Sequence, residues 1–148
     1  MKDNEMDERL HAQITALCQS GDKAASEGEF ARAVENYNQA FELLPEPFSK
    51  WEAATWILTA IGDANFLNRE YEKALQALQD AMKCAGAVGN PFVHLRLGQV
   101  QFELGNMERA RDELARAYMG GGEEIFSSEN PKYLSLVKAV LRPPYQQN

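Results

Sequence analysis

The chain has 148 residues, 45% hydrophobic and 25% charged, the composition of a globular domain large enough to bury a core. Its 22 acidic residues outnumber 15 basic ones, and the formal charge of −7 argues against general affinity for nucleic-acid phosphates or anionic lipid. The acidity is uneven: residues 1–80 hold 15 acids and 7 bases, residues 81–148 hold 7 and 8, so a basic partner is expected to favour the N-terminal half.

No apolar run approaches the roughly 18–20 residues that cross a bilayer. The opening MKDNEMDERL is acidic where a secretory signal would be apolar, so a cytoplasmic protein without membrane contact is expected. Along the chain, Gly and Pro punctuate at Pro45/Pro47, Gly86/Gly89, Gly105, Gly120–Gly122 and Pro143/Pro144, and the stretches between them have helical apolar spacing. The expected class is therefore all-α. Ser49 with Glu52 three residues on reads as a capping box, and Asn90-Pro91 and Asn130-Pro131 each put an N-cap residue before a proline at the first helical position. Gly120–Gly122 reads as a helix stop followed by a turn.

A register recurs three times. Nine residues after Gly21, Gly62 and Gly98 stand Phe30, Tyr71 and Met107, and three further on Ala33, Ala74 and Ala110. Four more bring Tyr37, Leu78 and Leu114, and another three Ala40, Ala81 and Ala117. Two antiparallel helices approach closely only where a small residue on one admits a bulky residue from the other, so the pattern marks helix crossings.

On those residues the sequence resembles the tetratricopeptide repeat (TPR) family, whose pattern is W-x2-L-G-x2-Y, then A-x3-F, A and P over about 34 residues. The resemblance implies a right-handed α-solenoid of three helix-turn-helix units in one domain spanning 1–148. Its repeats would cover about 14–47, 55–86 and 91–122, with a capping helix at about 130–141 carrying Tyr133, Leu136, Val137, Val140 and Leu141. Residues 5–13 are expected to extend the first helix. The first two glycines lie 41 residues apart and the second two 36, so the junctions are enlarged. We place the seven extra residues of the first junction as two added turns on the first helix of repeat two, a protruding helix with Trp51 on it.

Chemistry is sparse. Cys18 and Cys84 stand too far apart for a metal knuckle or redox pair and read as small buried hydrophobes. His94 occupies the phase of a packing tryptophan and reads as packing, while the neighbours Asp112-Glu113 and Glu123-Glu124 point apart on a helix and make no carboxylate dyad. No nucleophile motif, phosphate loop, metal spacing or basic cluster appears, so no catalytic residue, metal, cofactor or nucleic-acid partner is expected.

In arrays of the resembled kind the first helix of each repeat lines a concave groove. Helical phase then puts Asp22 in it from repeat one, beside the small groups Thr15, Cys18, Gln19, Ala25 and Ser26. Repeat two contributes Trp56, Thr59, Asp63 and Phe66; repeat three contributes Phe92, Leu95, Arg96, Gln99, Phe102 and Glu103. Aromatics and arginine are the usual anchors of protein partners, although Phe66 and Phe102 could equally be covered by a neighbouring repeat or by the C-terminal segment. TPR proteins that clamp the carboxylate tail of heat-shock chaperones carry Lys, Asn and Arg at positions matching Cys18, Asp22, Ala60, Phe92 and Arg96; only Arg96 agrees, and Asp22 would repel a carboxylate.

The segments WEAATWILTAIGDANFLNREYEKALQAL and GNPFVHLRLGQVQFELGNMERARDELARAYMGGGEEIFSSENPKYLSLVK resemble a bacterial subgroup of small stand-alone TPR proteins. That resemblance implies an immunity protein that binds a basic toxin domain. The competing readings are an adaptor or co-chaperone for a short peptide and a self-associating scaffold, such as a homodimer.

Overall fold

The computed structural model describes residues 6–141; the break expected at Pro143/Pro144 and the first residue of the expected N-terminal extension lie outside them. Described residues form helices and turns without a strand. The chain divides into two compact units, one ending at Ala85 and one beginning at Gly86.

The first unit holds α1 (Glu8–Ser26), α2 (Phe30–Glu42), α3 (Glu52–Leu67) and α4 (Tyr71–Ala81). Asp7 starts α1, its carboxylate accepting from the Arg9 and Leu10 amides at 2.8 and 3.3 Å, so residues 8–13 do extend the first helix. The register expected from the sequence is the packing itself. A Cβ at Gly21 would meet the Tyr37 ring at 2.5 Å, and one at Gly62 would meet Leu78 Cγ at 2.5 Å, so α1 lies on α2 and α3 on α4 at glycine-to-bulk crossings. Ala33, Ala40, Ala74 and Ala81 are completely buried beside them. The core of this unit gathers Ile14, Tyr37, Leu44, Ile57, Leu58 and Ile61.

The protruding helix is not there. Ser49 sits inside a 3₁₀ turn, Phe48–Lys50, rather than at a cap, and α3 begins after Trp51, which gives no side-chain cap. Phe48 packs edge-on against Phe41 with centroids 5.0 Å apart, and half-buried Trp51 donates its indole N–H to the Pro45 carbonyl at 2.8 Å. The physical reason is a matter of magnitude: a Ser cap contributes about 1 kcal/mol, whereas two aromatic side chains half-buried against the core together contribute roughly 1.5–3 kcal/mol. The extra residues fold back as an aromatic plug on the core.

The second unit holds α5 (Pro91–Glu103), α6 (Met107–Gly121), a 3₁₀ turn (Glu123–Phe126) and α7 (Pro131–Leu141). Asn90 caps α5 by accepting from the Phe92 and Val93 amides, and Asn130 accepts from the Lys132 amide, as their Asn-Pro pairs predict. A Cβ at Gly98 would meet Leu114 Cγ at 2.5 Å and the Leu114 backbone nitrogen at 3.0 Å, repeating the crossing a third time. The α6 stop falls at Gly122, in the left-handed region at φ +68°. On α7, Tyr133 and Val137 are buried and Leu136 half-buried, whereas Val140 and Leu141, also expected in the cap, are exposed.

Candidate partner-binding face

In the first unit the expected groove residues split into two groups. Thr59 is buried, its hydroxyl spent on the Thr55 carbonyl at 2.6 Å, so it offers nothing to a partner. Asp22, Trp56, Asp63 and Phe66 reach the surface: Trp56 is 63% exposed, Asp22 is exposed, and Asp63 and Phe66 are half-buried. Trp56 and Asp63 are seven residues apart and therefore share one stripe of α3. The Phe66 ring leans on Tyr71 at 5.9 Å between centroids.

Tyr37 ties the two acids together. Its hydroxyl donates to Asp22 at 2.6 Å, and Asp63 lies close enough for its charge to act on the same oxygen. Burial first, then the Asp22 hydrogen bond and the carboxylate charges, push this phenol well above its ordinary range. Burial and Asp22 also raise the Cys18 thiol, which keeps it protonated and poorly nucleophilic. Burial and Asp80 raise Cys84 against the opposing pull of Thr55 and Lys83. The face is thus an exposed indole beside a negative, hydrogen-bonded cluster.

The second unit places its expected residues differently. Arg96 and Gln99 are buried, and both donate to Glu129 at 2.7 Å while Arg96 also donates to Gln99 at 2.6 Å. The Arg96 guanidinium covers the Phe92 ring at 4.9 Å, leaving Phe92 37% exposed. Phe102 packs edge-on against Tyr133 at 5.3 Å, and Glu103 accepts from the Tyr133 hydroxyl and pairs with Lys132, both at 2.8 Å. Leu95 is buried. The C-terminal segment therefore occupies the polar groups of this stripe, the alternative held open from the sequence for Phe102. Sequence reasoning missed Glu129 and Lys132 as the groups that do so; the signal available was an acid and a base immediately flanking the Asn130-Pro131 helix start.

His94 is buried and fully used. Its Nε2 accepts from the Gly89 amide at 3.1 Å, which leaves Nδ1–H as the donor to Glu113 at 2.6 Å. The pair clamps the loop before α5 to α6. Among the described residues no cluster of His, Cys, Asp and Glu could hold a metal ion, and no helix is long and apolar enough to cross a membrane.

Neither a protein-family model nor a curated protein matches the sequence. Solved structures do. The second TPR domain of human RPAP3, in complex with an HSP70 peptide SGPTIEEVD, has 16% identity and a TM-score of 0.67 over 90% of this chain and 99% of its own. The Arabidopsis OM64 TPR domain has 17% identity and a TM-score of 0.69 over 87% and 94%. The Yersinia enterocolitica type III secretion translocator chaperone SycD has 11% identity and a TM-score of 0.66 over 90% and 96%. The chain has a TPR fold, all-α, with helix-turn-helix units in sequence and a final capping helix.

Proposed function

We propose that the chain is a non-catalytic interaction module that holds a short extended segment of a partner protein on the α1 and α3 face of its first unit. One observation carries this reading: exposed Trp56 shares a stripe with Asp63, which acts with Asp22 on one tyrosine hydroxyl, whereas the corresponding polar groups of the second unit are already bonded to Glu129, Lys132 and Tyr133. Such a face suits a segment with Lys or Arg next to an apolar residue. TPR domains of similar structure bind short peptides, as RPAP3 does, which supports peptide capture as an adaptor or co-chaperone would perform it.

An acidic chaperone tail is not the segment this face suits. The positions that clamp such tails are here Cys18, Asp22, Ala60, Phe92 and Arg96; Asp22 repels a carboxylate, and Arg96 is committed to Glu129. A basic toxin domain presenting a cationic segment is one instance of the proposal; the excess acidity of residues 1–80 supports it, and none of the structures named above carries a name that speaks of toxin neutralisation. The self-association reading has lost the protruding helix, one of the two elements it rested on, and keeps the other, the C-terminal helix α7, where Val140 and Leu141 are exposed.

Fluorescence anisotropy with two labelled peptides tests the reading, one combining Arg or Lys with Leu and Trp, the other SGPTIEEVD. The basic peptide should bind, weaken as salt rises, and lose both affinity and salt dependence in the double variant Asp22→Asn, Asp63→Asn. Equal binding of the acidic peptide would overturn the proposal.

A further inference from the structure

The opposite side of α3 is underfilled. Nine residues separate Trp56 from Asn65, and at about 100° per residue they lie on opposite sides of the helix. In W-x2-L-G-x2-Y the aromatic phases fall four residues before the glycine and three after it; around Gly62 they are Leu58 and Asn65, both smaller than the rings of the pattern. A cleft of about 620 Å³ opens at these two residues, with Ile61 beside them, Val34 and Phe41 from α2 and Ala77 from α4. That volume lies within the roughly 300–1,000 Å³ typical of ligand clefts.

Asn65 makes the cleft more than a packing defect. The residue is only 5% exposed, and among the described residues no group hydrogen-bonds its side-chain amide. Yet no buried side-chain nitrogen or oxygen there is shut off from both partner and solvent, so the amide opens into the cleft it lines. An amide that is nine-tenths buried and unpaired within the protein favours a ligand that brings a hydrogen-bonding group with it. At the rim stand Glu70, just before α4, with Lys73 and Asp80 on α4, and Asp80 is paired with Lys83 at 3.3 Å.

We propose that this cleft binds an aromatic side chain with a hydrogen-bonding ring substituent, tyrosine above all, presented by a partner protein. The ring takes the volume that the pattern's own aromatics would fill, and its hydroxyl meets the Asn65 amide, which can donate or accept. This site is separate from the Trp56 face, and each can fail without the other.

The test uses the full ¹⁵N-labelled chain, p-cresol as the probe and toluene as the comparator. p-Cresol should shift the Asn65 side-chain amide and the Ala77 amide saturably and leave the Trp56 indole unmoved. Asn65→Leu should reduce p-cresol affinity about fivefold, to the level of toluene. Asn65→Tyr should abolish binding of both by filling the cleft and should raise the melting temperature. The proposal is overturned by equal affinities for p-cresol and toluene in the unaltered chain, by undiminished binding in Asn65→Tyr, by perturbations centred on Trp56, or by no saturable binding. Light scattering that shows a dimer dissolved by Asn65→Tyr would overturn it in favour of a second copy as the occupant.

Discussion

At Gly62 the distance between a packed crossing and a clash is one methyl group. A Cβ there would stand 2.5 Å from Leu78 Cγ and 2.6 Å from Cδ2, so Gly62→Ala should cost about 1–3 kcal/mol. In a Leu78→Ala background the same change should cost nearly nothing, a coupling that urea unfolding of the four variants would reveal. Arg69 makes the reverse case. It holds φ +60° in the turn between α3 and α4, where Gly28 and Gly105 stand in the equivalent turns, and the Glu70 amide reaches the Asn65 carbonyl at 2.8 Å just as Glu29 reaches Ala24. Relief of left-handed strain outweighs the extra freedom of the unfolded chain, so Arg69→Gly should stabilise by about 0.5 kcal/mol. Tyr37 adds a pH signature. Its folded-state phenol is raised, so above the ordinary tyrosine value of about 10 the unfolded chain releases a proton that the folded chain keeps. The stability it contributes is complete below that value and drains away as pH rises through the folded one. Alkaline denaturation curves should therefore fall less steeply for Tyr37→Phe.

The elements show what could be read in advance and what could not. Glycine and alanine phases, Asn-Pro caps and the stop at Gly122 were legible because each is decided within a few residues or by one crossing between consecutive helices. The aromatic plug was not, because the Ser49/Glu52 spacing is a local signal that lost to burial of Phe48 and Trp51. Ser49→Ala should accordingly change stability by less than about 0.5 kcal/mol, whereas Asn90→Ala should cost about 1 kcal/mol; a Ser49 loss equal to that of Asn90 would restore the capping box. The candidate site was legible only in part. Asp22, Trp56, Asp63 and Phe66 reach the surface as helical phase requires, but the bonds from Arg96 and Gln99 to Glu129 span 33 and 30 residues and follow from where α7 returns, which periodicity does not encode. Glu129→Ala would remove the acceptor that buried Arg96 and Gln99 share and should cost about 1–3 kcal/mol in thermal or denaturant unfolding.

At the scale of the molecule, one fold carries two differently finished units. In the first, an indole and two carboxylates remain at the surface; in the second, the equivalent stripe is closed by its own C-terminal segment. The proposal that a partner is captured on the first unit rests on that asymmetry and not on the shared repeat. The chain carries its own reporters, since Trp51 has its indole N–H bonded to Pro45 while Trp56 stands in solvent. The decisive measurement is a ¹⁵N NMR titration of the intact chain with the basic, Trp-containing peptide. Capture on the first unit should produce a large shift of the Trp56 indole and of the amides around Asp22, Asp63 and Phe66, with the Trp51 indole and the Glu103, Glu129 and Lys132 amides unmoved. Shifts confined to α5 and α7, with Trp56 silent, would contradict it.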